Sequence, residues 1–235
     1  MSNKNMTVSI IIPVLNEAEE IGKAVTHLHE NADQRLVDLL VVDAGSTDGT
    51  ADIATAAGAT VLPAPEKGRS RQMNYGVSQS SGEVLYFVHA DTRPPASYLD
   101  DIEGSLREGF PLGAYQSVYD TDHPLLRINA YFTRFDFLWC RGGDQSIYVE
   151  RAVFESLGGF RPDYKIMEEY DFIQRARKQH PFKIFDKPTL ISARKYRENS
   201  YLRVQLANLI VFNMYRLGFS QGRLANTYCR LLKYR

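Results

Sequence analysis

The sequence predicts an α/β protein with a mostly parallel central sheet flanked by helices and followed by C-terminal helices, and three observations carry that prediction. Short β-branched runs alternate with segments of helical spacing through the first half. Polar clusters fall where those strands should end. Two further stretches of helical spacing follow late in the chain, with Gly218 and Gly222 punctuating the turn between them.

The elements follow in order. Val8–Val14 is an almost continuous apolar strand, and 17–30 places Ile21, Ala24, Val25 and Leu28 on one helix face. Residues 39–42 read as a buried strand, 50–57 as a helix, 60–62 as a strand, 69–79 as a helix and 84–88 as a strand. Strands that are apolar on both faces and separated by helices imply parallel pairing, with ligands at their carboxyl ends. After Asp91 the pattern loosens. Thr92-Arg93-Pro94-Pro95 opens a helix through Leu106, and 113–119 reads as a strand. An aromatic-rich stretch, 128–140, then leads into Arg141-Gly142-Gly143-Asp144-Gln145, and 202–217 and 223–232 form the two late helices.

A chain of 235 residues, 44% hydrophobic, can bury one substantial core. Residues 1–198 are expected to form one domain, with a first half over about 7–92 and a second over about 93–198, and 199–235 a basic helical tail. Cys140 and Cys229 stand far apart with no Cys/His cluster, which predicts neither a disulfide framework nor a zinc site and points to a reducing, cytoplasmic setting. The apolar N-terminal run is too short for an export signal, and 202–217 is interrupted by Arg203, Gln205, Asn208, Asn213 and Arg216. The net charge of zero is unevenly spread: from Ala193 onward nine basic residues face the single acid Glu198, about +8 against about −8 upstream. Such a tail suits either peripheral contact with the inner face of an anionic membrane or packing on its own acidic body. No nucleic-acid partner is expected.

The strand-end clusters are 13–17 (PVLNE), 43–50 (DAGSTDGT) and 89–92 (HADT). A dinucleotide fold would need GxGxxG after the first strand, where this chain has PVLNEAEE, and no phosphate-binding GxxxxGK[ST] loop is present. The run from Asp43 lacks the glycine and final glutamate of a calcium loop, since Asp48 and Ala54 hold those places.

Taken together and in order, VSIIIPVLNEAEEI, LLVVDAGSTDGTADIA, GRSRQMNYG, GEVLYFVHADT, GGDQSIYV and MEEYDF resemble the family 2 glycosyltransferases of GT-A fold, a Rossmann-like architecture. The likeness spans roughly 7–196 and is nearest to a compact subgroup with HADT in place of the usual DxD. It implies an inverting transferase that uses Mn2+ or Mg2+ to move a sugar from a nucleotide-diphosphate donor to a glycan, lipid or small-molecule acceptor. Two alternatives stand beside it: a non-catalytic nucleotide-sugar-binding protein, and a sugar-phosphate nucleotidyltransferase.

The resemblance assigns roles. Pro13, Glu17 and Asp43 would meet the donor nucleoside, carboxylates accepting from ribose hydroxyls or a base N–H, although Glu17 could instead complement its helix and Asp43 make a local turn. Asp91 would ligate the metal, with His89 reaching the ribose or a metal-bound water. Gly68 and Arg69, opening the third helix, and Arg194, in the basic segment after the last strand, would face donor phosphates. Gly143, Asp144 and Gln145 would face the acceptor. The family's base is the Asp of a Glu-Asp pair, and here that place is held by Glu169 of Glu168-Glu169, one methylene longer, with Glu168 and Asp171 as alternatives.

Overall fold

The computed structural model describes residues 6–141 and 145–232. The first half lays down β1 (Val8–Val14), α1 (Ile21–Glu30), β2 (Leu36–Asp43), α2 (Thr50–Ala56), β3 (Thr60–Pro63), α3 (Arg69–Ser78) and β4 (Val84–Phe87). The second adds β5 (Thr92–Arg93), α4 (Tyr98–Arg107), β6 (Leu112–Tyr119), α5 (Pro124–Phe132), a 3-10 turn at Leu138–Cys140, β7 (Ile147–Glu150), α6 (Arg151–Ser156), α7 (Glu168–Ala176) and β8 (Phe182–Ile191). Helices α8 (Arg194–Glu198), α9 (Tyr201–Arg216) and α10 (Gln221–Leu231) follow.

One sheet of eight strands runs β3-β2-β1-β4-β7-β6-β8-β5. Only β7 and β5 run against the rest. The first four strands are parallel because each is returned by a helix, and the central ones, β1 and β4, are buried along almost their whole length because both faces are covered. Along β1, Val8, Ile10, Ile12 and Val14 pack with α1 and α4 on one face, while Ile11 packs with Val42, Phe87 and Met73 of α3 on the other. The α3 layer lies close: a Cβ added to Gly76 would sit 2.6 Å from Ile11 Cγ2. Register aligns Val14 with Asp43 and Ile11 with Phe87, so the three polar clusters emerge side by side at one sheet edge.

Several local expectations need correction. Helix α1 begins only at Ile21: Asn16 is left-handed at φ 56°, and the backbone N–H groups of Asn16, Glu17 and Ala18 tie this segment to the side chains of Ser46, Thr50 and Asp48. Thr92 and Arg93 do not open a helix but pair antiparallel with Ile191 and Leu190, and α4 starts only at Tyr98. The aromatic stretch overlaps a helix, α5, whose first turn is set by Pro124.

Candidate active site

The first wall is built by two loops that hold each other. Asn16 adopts a left-handed backbone (φ 56°), and its Oδ1 accepts from the Thr47 N–H at 2.9 Å while its own N–H donates to Ser46 Oγ at 2.8 Å. Beneath them Gln72 of α3, buried, donates through Nε2 to the carbonyls of both Val14 (2.9 Å) and Val42 (2.8 Å). These contacts shape one side of a cavity of about 710 Å³ at the carboxyl ends of β1 and β4. Pro13, Glu17, Gly68, Arg69, His89, Asp91, Gln145, Glu169 and Arg194 all line it. Asp43 stands just behind this wall, its carboxylate accepting from the Ser46 N–H (3.1 Å) and hydroxyl (2.5 Å).

The carboxylates of α7 enter from the opposite side. Met167, left-handed at φ 66°, turns the chain so that Glu168 and Glu169 occupy the first helical turn, where the positive end of the helix favours anions. Glu169 is buried and its Oε1 lies 3.1 Å from His89 Nε2. Burial raises the Glu169 carboxyl, but the His89 hydrogen bond and the nearby Arg69 charge outweigh it and hold the group below the ordinary range. An ionised Glu169 requires the proton on His89 Nε2, which then donates. Glu168, equally buried, is pushed up to about 7 by burial and by the charge of Glu169; Arg69 Nε lies 3.5 Å from its Oε1. Glu168 is not on the cavity wall. Nor is Asp171, which accepts from Arg175 Nε at 2.8 Å and pairs with Arg161 at 3.6 Å.

Positive charge gathers opposite. Arg194, the first residue of α8, donates through Nη2 to Glu17 Oε2 at 2.6 Å. Desolvation nevertheless leaves the Glu17 carboxyl raised, with Asp91 adding repulsion. Gly68 (φ 127°) caps α3 and Arg69 opens it. Farther along the cavity wall Gln145 Nε2 donates to the Cys140 carbonyl at 2.7 Å. Gly143 and Asp144 lie outside the described residues. The sequence gives no local signal for Gln72 as the link beneath the wall, or for the packing of Tyr170 against Phe212 (5.9 Å), which brings α9 to this cavity.

Among the described residues no group of three or more His, Cys, Asp or Glu could hold a metal by itself. Asp91 supplies one hard carboxylate oxygen to the cavity, while His89 Nε2 is turned to Glu169. That donor set fits an ion of the Mg2+ or Mn2+ kind, which takes its remaining ligands from water and a diphosphate.

The family model described as glycosyl transferase family 2 matches residues 9–154. Glycosyltransferase AglE of Haloferax volcanii is 35% identical over 100 residues, 40% of this chain and 33% of that protein. Glucosyl-3-phosphoglycerate synthase of Mycolicibacterium smegmatis is 34% identical over 97 residues, 38% of this chain and 32% of that protein. The matches thus span about a third of the length of these curated relatives. Among solved structures, glucosyl-3-phosphoglycerate synthase from Mycobacterium tuberculosis, in complex with Mn2+, uridine diphosphate and phosphoglyceric acid, superposes with a TM-score of 0.62 at 21% identity, covering 91% of this chain and 79% of that one. S. aureus TarS 1-349 gives 0.66 at 16% identity, covering 95% and 69%. The fold shared with both is GT-A.

Proposed function

The chain belongs to glycosyl transferase family 2, and from that premise we propose that it moves a sugar from a nucleotide-diphosphate donor to an acceptor hydroxyl, with inversion and with a divalent cation. The observation that carries this reading is the convergence of Glu169, His89 and Asp91 on one cavity at the carboxyl edge of the sheet, with Glu169 held ionised. The Mn2+ and uridine diphosphate held by the mycobacterial synthase support the donor class and the cation.

Pro13 and the paired loops beside Glu17 receive the nucleoside, with Asp43 shaping the loop from behind. Asp91 would hold the cation, which when bound neutralises charge on the departing diphosphate. Arg69 and Arg194 add positive charge on the same side. Glu169 takes the proton of the acceptor hydroxyl. The freed oxygen forms its bond to the anomeric carbon as the bond from that carbon to the diphosphate breaks, so a single displacement inverts the centre. His89 fixes the Glu169 carboxylate and keeps it charged before the acceptor arrives. Gln145 and the cavity-lining Phe132 and Trp139 face the acceptor, a glycan, lipid or small molecule. Cys140 and Cys229 are free thiols, which supports a cytoplasmic setting.

The test is turnover of nucleotide sugars by purified protein with Mn2+, comparing Asp91→Ala and Glu169→Gln. Loss in both is expected; undiminished turnover in Glu169→Gln would move the base elsewhere. Tight donor binding without turnover across a broad acceptor panel would favour a nucleotide-sugar-binding protein.

A further inference from the structure

Helix α9 carries two apolar stripes where one would serve a core. Val204, Ala207 and Val211 are buried, as an amphipathic helix requires. A second stripe, Leu202, Leu206 and Leu209, recurs at spacings of four and three and is 74%, 54% and 60% exposed. Across the cavity, α5 and the segment after it present Tyr131, Phe135, Phe137 and Trp139 to solvent, Trp139 being 55% exposed. Their rings pack on one another, Phe137 stacking with Trp139 at 6.0 Å, rather than into the core. Leu209 from one ridge and Trp139 from the other line the same cavity, and Tyr201 Oη donates to Asn129 Oδ1 at 2.9 Å where the two elements meet. Exposed apolar ridges of this extent mark a contact surface.

Charge decides what covers them. From Tyr201 to Leu231 there is no Asp or Glu, but there are four arginines, Arg203, Arg216, Arg223 and Arg230. Within residues 124–141 Arg127 and Arg134 are exposed, and the one acid of that stretch, Asp136, is paired with Arg177. A second copy of this chain docked by the same face would bring like charge against like. Aromatic rings and leucines bordered by arginine suit the headgroup layer of an anionic bilayer, where rings sit at the interface and guanidinium groups meet phosphates. Among the described residues no helix is long and apolar enough to cross a membrane, so the contact is with its surface.

We propose that the α5 and α9 ridges flanking the cavity dock on an anionic phospholipid membrane. The contact stands apart from the transferase reading; only its use, bringing a lipid-borne hydroxyl to Glu169, rests on that reading.

Trp139 is the only tryptophan in the chain and therefore reports on the docked face alone. The full chain is mixed with phosphatidylcholine vesicles with and without phosphatidylglycerol, and Trp139 emission and co-sedimentation are followed. With the anionic vesicles alone, a blue shift, quenching by brominated lipid and co-sedimentation are expected. Arg216→Gln and Arg223→Gln should each weaken binding by about fivefold, and Phe137→Ser or Leu202→Ser/Leu206→Ser should abolish the blue shift. Circular dichroism and metal-dependent donor hydrolysis in the absence of vesicles should match the parent chain in all four variants. That separates loss of docking from failure of the transferase reading. Unchanged Trp139 emission with anionic vesicles overturns the proposal, as does binding that survives the apolar substitutions. A vesicle-free dimer by light scattering that shields Trp139 from aqueous quencher assigns the face to a second copy and also overturns it.

Discussion

Glu168 and Glu169 are adjacent, chemically identical and both buried, yet their surroundings push them in opposite directions. Glu169 has His89 as a hydrogen-bond donor; neither Glu168 oxygen has one, and Arg69 stands at 3.5 Å. A carboxyl raised in the folded state contributes stability below its unfolded value of 4.5 and loses it as the pH climbs through about 7. Glu168→Gln is therefore expected to match the parent in melting temperature near pH 5 and to gain on it toward pH 8, by as much as about 3 kcal/mol. Thermal melts across that range check the sign. For Glu169 the expectation concerns rate: Glu169→Gln should lower kcat by 10²- to 10⁴-fold, roughly the worth of a general base. Glu169→Asp draws the carboxylate back by roughly 1 Å and away from His89, with a loss of about 100-fold. Steady-state kinetics with a saturating donor resolves the two.

Elements that report themselves locally were legible in the sequence, and those defined by distant partners were not. Strands β1, β2 and β4 each carry an apolar run, almost unbroken over Val8–Val14 and unbroken over 39–42 and 84–87, and their polar ends could be placed on one edge from the alternation alone. Strand β8 hides its period because the pairing skips from Phe185 to Pro188 opposite Tyr115 and Gln116, leaving Asp186 and Lys187 out of step. Strand β5 has two residues and exists only through β8. The same limit applies at the site: His89 and Glu169 are separated by 80 residues, so the sequence marks each as polar near a helix or strand end but not as each other's partner. Close packing of α3 on β1 yields a stability expectation, since Gly76→Ala forces its methyl against Ile11 and Val42. A loss of about 1–3 kcal/mol in denaturant unfolding should follow. Helix α8 gives another: Arg194→Gln removes a cation from the cavity wall and should weaken binding of a nucleoside diphosphate with Mn2+ by about tenfold, measured by calorimetry.

At the scale of the whole molecule, the cavity joins a wall of interlocked strand ends to a second half that supplies Glu169 and the aromatic face. One carboxylate, Asp91, is a meagre cage for a cation, so Mn2+ alone should scarcely shift the melting temperature. Mn2+ together with a nucleoside diphosphate should raise it clearly, by about 2.7 kcal/mol of stabilisation at a hundredfold excess over Kd. Chelation should reverse the gain, and a panel of diphosphates in the same assay ranks the bases. Gln72 sets the spacing on one side of the crevice. Its amide spans the carbonyls of Val14 and Val42 like a spacer bar, and its own helix is seated directly on the sheet, so the gap between the ends of β1 and β2 is gauged before any ligand arrives. Across the crevice Arg194 pairs with Glu17 at 2.6 Å, beside the contacts of His89 with Glu169 and Arg69 with Glu168. A ligand that draws Arg194 away from Glu17 would therefore change the charge at the mouth of the crevice while the spacing set by Gln72 stays as it is.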